Sequence, residues 1–327
     1  MQTSRPDETA GNSGRETDTA GDRATVAVII PTFNQARFLG EAIKSVLAQT
    51  HPAAEIIVVD DGSTDNPETV VAEFPSVRLI RQDNRGLSAA RNTGLRSCQT
   101  TYVVFLDSDD RLLPNALEAG LACMATRPDC AFVSGGCRLI SEDGDPLGPD
   151  RVNPIEGDPH LSLLRANPIV VHSVLFRRDI LLSENGFDET LRRCEDYDLY
   201  LRIVPKYSIA IHREIVAEYR RHGTNMSNDY VGQLKVVLHV LDRHEARIIP
   251  DAPTRAALRE GRANARVNYA YHMLLTARAH WRTRRDFRKA AKELIRAARW
   301  SPSLTVRTVL EAFGRRAGRA TLRALGR

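Results

Sequence analysis

The feature that most constrains this chain is an alternation repeated four times between residues 25 and 127. A short run of β-branched and apolar residues is followed each time by a stretch with helical spacing. The runs are VAVII (26–30), EIIVVD (55–60), VRLI (77–80) and YVVFLD (102–107), with helices expected over about 35–49, 66–73, 86–97 and 114–127. Strands that are apolar on both faces and alternate with helices build a parallel sheet covered on both sides. Right-handed crossovers then gather the loops that follow the strands along one edge, where open α/β sheets bind ligands.

From about residue 131 to 220 the pattern changes to shorter strands, AFVSGG, CRLI, VVHSVLF, SIAIH and EIVAEYR, with a turn signal at EDGDPLGP and a short helix at EDYDLYLRIV (195–204). Beyond Tyr230 only helical periodicity remains. Residues 1–24, rich in Thr, Asp, Glu, Gly and Ser, read as a disordered leader. The expected organisation is a leader (1–24), an α/β domain over 25–228 with halves meeting at 130/131, and a helical region over 229–327. That agrees with the roughly two units that 327 residues imply at about 150 per domain.

Composition narrows the class. With 27% charged and 42% hydrophobic residues the chain has the balance of a globular protein. No apolar run approaches the roughly 18 residues of a membrane span, and the amino-terminal stretch lacks the apolar core of a secretory signal. Five cysteines without a C-x-x-C argue against a disulfide framework and for a reduced, cytoplasmic chain. Cys123, Cys130 and Cys137 recur every seven residues but straddle a helix, a turn and a strand, which does not make a metal site. The net charge of +5 is unevenly spread: residues 262–327 carry +14 and the rest −9. That basic end has Trp281, Phe287, Leu294, Ile295, Trp300 and Leu304 among its arginines. Either its helices pack on the preceding domain, or the segment makes a peripheral contact with an anionic membrane. No recognition motif points to nucleic acid.

Five acidic or polar segments carry the chemistry. After the first strand comes PTFNQ, in which Pro31 ends the strand and Asn34 stands where a helix cap belongs. After the second, Asp60 and Asp61 close an apolar run. An acid at that edge can accept hydrogen bonds from a ribose hydroxyl or a base N–H, although Asp-Gly-Ser also makes ordinary turns. After the fourth, Asp107, Asp109 and Asp110 crowd three carboxylates into four positions. That is costly unless a cation relieves it, and hard oxygen ligands on a short loop suit Mg²⁺ or Mn²⁺. Capping of the next helix would explain Asp110 alone. Glu195, Asp196 and Asp198 open a helix, whose dipole favours carboxylates there and would keep a general base ionised. Finally, YRRHGTNMS sets Arg220, Arg221 and His222 after a strand, as phosphate or metal contacts or as plain surface charges.

Taken together, PTFNQARFLGEAIKSVLAQT, EIIVVDDGSTD, QDNRGLSAARNTGL, FLDSDD and GFDETLRRCEDYDLYLR closely resemble the family 2 inverting glycosyltransferases of the GT-A fold, over about residues 25–225. The resemblance implies a Rossmann-like, mostly parallel sheet with helices on both faces, followed by a helical carboxy-terminal region. It implies a hexosyltransferase that uses a nucleotide-diphosphate sugar and a divalent metal, Mg²⁺ or Mn²⁺, to glycosylate a glycan or lipid-linked acceptor in cell-surface glycan synthesis. Motif by motif, Pro31, Thr32, Asn34 and Asp60, with Asp61, would line the base and ribose pocket. Asn84, Arg85, Ser88, Arg91 and Asn92 would help hold nucleotide or sugar. Asp107 and Asp109 match the D-x-D acids, with Asp109 leaning to the metal and Asp107 to the ribose; Asp196 matches the base, and His222 would assist at the metal and diphosphate. The Q-x-x-R-W string of processive synthases does not occur, which favours single addition. A non-catalytic nucleotide-sugar binder and a sugar nucleotidyltransferase are the alternatives, the latter usually with a Gly-rich basic loop where PTFNQ stands.

Overall fold

The structure, a computed structural model, describes residues 24–152, 155–282 and 286–310. The leader expected over 1–24 and the last part of the basic end, 311–327, fall outside the described residues save for Ala24. In chain order the first half runs β1 (Val26–Thr32), α1 (Ala36–Leu47), β2 (Glu55–Asp60), α2 (Pro67–Val71), β3 (Val77–Arg81), α3 (Leu87–Ser97), β4 (Tyr102–Phe105), β5 (Arg111–Leu112) and α4 (Ala116–Thr126). The second half adds β6 (Cys130–Ile140), α5 (Pro159–Arg165), β7 (Val174–Arg177), α6 (Arg178–Ser183), α7 (Glu195–Ile203) and β8 (Ser208–Arg220). Three long helices follow, α8 (Tyr230–Arg247), α9 (Ala252–Arg282) and α10 (Phe287–Trp300), and residues 302–310 are again helical.

Among the described residues the strands form one mixed sheet in the order β3-β2-β1-β4-β7-β6-β8-β5. The pairs β1–β2, β2–β3 and β1–β4 are parallel, as the alternation with helices requires. The period of two along each strand sorts its apolar residues between two cores. Ala27, Ile29, Ile57 and Val59 face a cluster completed by Ala90 and Leu95 of α3 and by Leu199 and Leu201 of α7. Val26, Val28, Ile30, Ile56 and Val58 face the other, against Leu39 and Ile43 of α1 and Leu117 of α4. A sheet buried on both sides is why these segments read as unbroken apolar runs.

Beyond β4 the sheet turns mixed. Antiparallel β7 joins β4 to β6, and β6 pairs with β8 in parallel through register shifts around Ser134–Cys137. AFVSGG and CRLI, expected as two strands, are one strand that bulges where a Cβ on Gly135 would stand 2.9 Å from the Glu214 carbonyl oxygen. SIAIH and EIVAEYR likewise merge into β8. Short β5 pairs antiparallel with the end of β8, Arg111 opposite Glu218, which sets the loop after β4 beside the residues that follow β8.

The carboxy-terminal helices are anchored in the same core. Val240 and Leu241 of α8 and Ala257 and Leu258 of α9 belong to the cluster that packs under the sheet. Helix α9 crosses α5 at Gly261, where a Cβ would lie 1.9 Å from the Leu164 carbonyl oxygen, so only glycine permits the contact. Nearby, His160 Nε2 of α5 meets His244 Nε2 of α8 at 2.8 Å. Burial, then the neighbouring His160 and Arg247, hold His244 down at about 4. Its folded value thus lies below the ordinary one near 6.5. The stability this neutral pair supports is present above about 6.5 and drains away as pH falls through about 4, by no more than about 3 kcal/mol. Thermal melts between pH 7 and 4 should show that loss, and His244→Gln should flatten it. A variant as acid-sensitive as the wild type would remove the pair from the account.

Candidate active site

Along the sheet edge the loops after β1, β2, β3 and β4 border one cleft of about 660 Å³, which is also lined by the start of α7, the turn after β8, Gln233 of α8 and Tyr269 of α9. Of the residues singled out from sequence, Pro31, Thr32, Asp61, Arg91, Asp107, Asp109, Glu195 and Asp196 line it, as does Asn84. Asn34, Asp60, Arg85, Ser88, Asn92 and His222 lie outside its lining.

The non-lining residues have structural partners. Asn34 is not a helix cap. It sits at φ 53°, accepts a hydrogen bond from Thr64 N at 2.9 Å, and leaves the first turn of α1 to Asp65, which accepts from Ala36 N at 2.8 Å. Asp60 accepts from Ser63 N at 2.8 Å. Asp61 folds the loop after β3 around itself, accepting from Gln82 Nε2 (2.7 Å), Arg85 N (2.9 Å) and Gly86 N (2.7 Å). The two adjacent carboxylates thus latch two different loops. Arg85 pairs with Glu189, Ser88 donates to the Leu191 carbonyl, and Asn92 exchanges two 2.8 Å bonds with the Phe187 backbone, tying α3 to the segment before α7. Buried Thr32 Oγ1 has no partner among the described residues and lines the cleft.

The three acids after β4 diverge in role. Asp107 Oδ1 accepts from Arg91 Nη2 at 2.6 Å. Asp109 Oδ2 lies 2.8 Å from His222 Nε2 and 3.3 Å from Asn225 Nδ2. Burial, then the charges of Asp110 and Asp107, push the Asp109 carboxyl up to about 6 in spite of that histidine. Asp110 does not cap a helix: it is fully buried, accepts from Arg220 N at 2.7 Å, and stands 3.0 Å from His172 Nδ1. That last approach is close but misaligned for hydrogen bonding, so Asp110 Oδ2 and both ring nitrogens of His172 lack hydrogen-bond partners among the described residues. One ligand atom from each of Asp107, Asp110 and His172 falls within 4.8 Å of the others. Two carboxylates and an imidazole, of which Asp110 and His172 keep unpartnered buried atoms among the described residues, next to Asp109 and His222, fit a divalent cation.

The turn after β8 is not a surface. Arg220 is 1% exposed; it donates to the Asp109 and Glu142 carbonyls at 2.8 and 2.6 Å and to Glu41 at 2.7 Å. It therefore clamps the acidic loop from behind, while Arg221 reaches Ser227 and Asn228.

At α7 the three acids also separate. Glu195 is buried against Arg91, and Asp198 turns away to Arg202 and Arg247 at 2.8 and 3.0 Å. Glu195 and Asp196 both line the cleft, but Glu195 is committed to Arg91, and the Asp196 value is pushed up to about 7. Burial does this first and Glu195 second, against Arg91 and a bond from Tyr197 N. The expectation of a carboxylate held ionised by the helix terminus is thus offset by desolvation and a neighbouring charge. Arg91 spans the gap between Glu195 and Asp107, so the acidic loop and α7 meet through a single guanidinium. Sequence reasoning missed His172, Asn225, Gln233 and Tyr269, which also line the cleft. His172 was visible only as a polar interruption of an apolar run, and Gln233 and Tyr269 gave no signal on their helices.

Comparison with known proteins agrees with this architecture. A sequence model of Glycosyl transferase family 2 matches residues 27–181. An uncharacterised glycosyltransferase of Rickettsia prowazekii is 31% identical over 221 residues, which are 64% of this chain and 68% of that one. Another, of Rickettsia conorii, is 32% identical over 225 residues, 66% of this chain but only 37% of its own length, so the chain spans little more than a third of that relative. The UDP-Glc:alpha-D-GlcNAc-diphosphoundecaprenol beta-1,3-glucosyltransferase WfgD of Escherichia coli is 29% identical over 222 residues, 65% of this chain and 84% of WfgD. Among solved structures, S. aureus TarS 1-349 in complex with UDP-GlcNAc superposes with a TM-score of 0.58 at 17% identity, over 76% of this chain and 81% of that one. The mannosyltransferase PcManGT of Pyrobaculum calidifontis, in complex with GDP-Man and Mn2+, gives 0.57 at 18% identity, over 89% and 80%. These two share the fold, GT-A. From the matched family model, the Rickettsia relatives and that fold, the chain belongs to glycosyltransferase family 2.

Proposed function

We propose that this chain transfers a hexosyl group from a nucleoside-diphosphate sugar to an acceptor hydroxyl, with inversion in a single displacement. The observation that carries the proposal is the convergence of Asp107, Asp109 and Asp196 on one cleft, where Arg91 ties Asp107 to Glu195, the neighbour of Asp196. Pro31, the free hydroxyl of Thr32 and the loops latched by Asp60 and Asp61 form the nucleoside end. Asn34, Arg85, Ser88 and Asn92 fix that wall from behind. Asp109, with Asp107 and His222, would hold Mg²⁺ or Mn²⁺, and Asp110 and His172 close the cage beneath them. When bound, that cation supplies positive charge to the departing diphosphate. Asp196 takes the proton of the acceptor hydroxyl, and a carboxyl poised near 7 suits a general base. Because the leaving group needs no protein acid, one base suffices, unlike the two carboxylates of glycosidases. The acceptor is a glycan, and the likeness to WfgD supports a lipid-linked one at the inner face of the cytoplasmic membrane.

Incubation with a panel of sugar nucleotides and Mn²⁺ tests the reaction. Nucleoside diphosphate release with an inverted product is expected; pyrophosphate release would mark a nucleotidyltransferase, and no turnover a binding protein. The metal assignment has its own check. Asp109→Ala should weaken Mn²⁺-dependent nucleoside diphosphate binding at least about tenfold, or 1.4 kcal/mol, in calorimetry. Unchanged affinity with and without Mn²⁺ would remove Asp109 from that role.

A further inference from the structure

The apolar residues of the basic end divide into two sets. Leu294, Trp300 and Leu304 pack inward on Ala270, Met273, Leu274 and Ala297, and they account for the α9–α10 hairpin. Trp281, Phe287 and Ile295 do not join them: they are 46%, 53% and 71% exposed, and Val306 and Leu310 of 302–310 are 58% and 64% exposed. The rings of Trp281, near the end of α9, and Phe287, at the start of α10, meet edge to face at 5.1 Å, making an aromatic tip. On α10, Arg288, Lys292, Ile295 and Arg299 are all exposed and recur at helical spacing, so they form one outward stripe. Arg282, Arg288, Lys292 and Arg299 have no carboxylate partner among the described residues. The nearby acids are engaged elsewhere, Asp286 by Lys289 at 3.1 Å and Glu293 by Arg296 at 2.5 Å.

We infer that this face, from the Trp281–Phe287 tip along α10 to Leu310, docks on the surface of an anionic lipid bilayer. Charge complementarity selects the occupant. A second copy would bring two +14 segments together, whereas a bilayer offers phosphates to the cations and acyl chains to the apolar side chains between them. Tyr269 of α9, which lines the cleft, precedes Trp281 by three helical turns, about 18 Å along the axis. Docking at the tip therefore holds the cleft near the headgroups. The docking stands on these residues alone; its consequence, access to a lipid-borne acceptor, rests on the proposed transferase reading.

Flotation of the full chain with vesicles of phosphatidylcholine, with and without phosphatidylglycerol, tests it. Binding is expected only with phosphatidylglycerol and should fade as salt is raised. Reversing three cations in Arg288→Glu/Lys292→Glu/Arg299→Glu should weaken it by more than about a hundredfold, since about 1 kcal/mol for each cation is about fivefold. Trp281→Ala/Phe287→Ala should weaken it at least about tenfold. Both variants should melt as the wild type and keep Mn²⁺-dependent nucleotide binding, a readout that separates loss of docking from failure of the transferase reading. Equal flotation with both vesicle types, wild-type flotation by the triple variant, or a mass doubling abolished by it would overturn the inference.

Discussion

Asp196→Asn leaves Mn²⁺-dependent nucleotide binding in place and lowers transfer by about 10²–10⁴-fold, the usual loss of a general base. The amide keeps the size of the carboxylate and its place in the cleft but cannot take a proton. The wild-type rate should rise with pH, because the base works only when ionised. The limb falls at about 7 for the protein alone and lower once a divalent cation sits near Asp107 and Asp109. In the variant that limb disappears. A second readout follows from linkage. The folded carboxyl lies above its ordinary value near 3.8, so the native state holds a proton that the unfolded chain gives up. The stabilisation is full below about 3.8 and lost as pH rises through about 7, which makes Asp196 a cost to the fold under assay conditions. Asp196→Asn should accordingly melt higher than the wild type at pH 8, the pattern of a site that trades stability for activity. Near-wild-type turnover by this variant would dismiss Asp196 as the base; a lower melting temperature at pH 8 would show that its carboxylate is structural.

Much of this architecture was legible because its causes are local. Ile56 to Val59 and Val26 to Ile30 are buried on both faces, so composition alone marks them as central strands, and the acids at their ends follow from strand direction. What misled the reading is also local. Gly135 and Gly136 look like a break between strands, yet they permit a bulge in a continuous one. Asn34 has the chemistry of a cap, but the competing partner is Asp65, brought close by the parallel pairing of β1 and β2. The residues that went unseen depend on distant contacts. Arg220 reads as a surface charge because the carboxylate its guanidinium meets, Glu41, is 179 residues away, and His172 gains meaning only once the fold sets it beside Asp110. Pattern reports which side chains face inward; it does not report which buried polar groups find each other.

Arg91 belongs to that second kind, and its substitution should have the largest effect on the fold. The sequence resemblance assigns it to the donor, but Nη1 and Nη2 are committed to Glu195 and Asp107, its side chain is 1% exposed, and the guanidinium stands 5.3 Å from the Phe187 ring. Burial alone would lower its value; the carboxylates of Asp107 and Glu195 outweigh burial and raise it, so the ion is charged at every working pH. Arg91→Met leaves two carboxylates facing each other without their cation and should cost about 3–5 kcal/mol, the penalty for breaking a buried pair from one side. Arg91→Lys keeps the charge and is expected to fold, but an ammonium cannot span two carboxylates as a planar fork does. The acidic loop and α7 then lose their common spacer. Asp196 shifts relative to the donor, and kcat falls by about 10²-fold, the effect of a misplacement near 1 Å. Donor KM should stay within about twofold, because uniform binding is untouched when only the transition-state geometry is lost. A direct donor contact would give the reverse, a raised KM with kcat preserved. Calorimetric melts of Arg91→Met and the kcat–KM split of Arg91→Lys therefore separate a residue that positions the two acidic elements from one that grips the nucleotide.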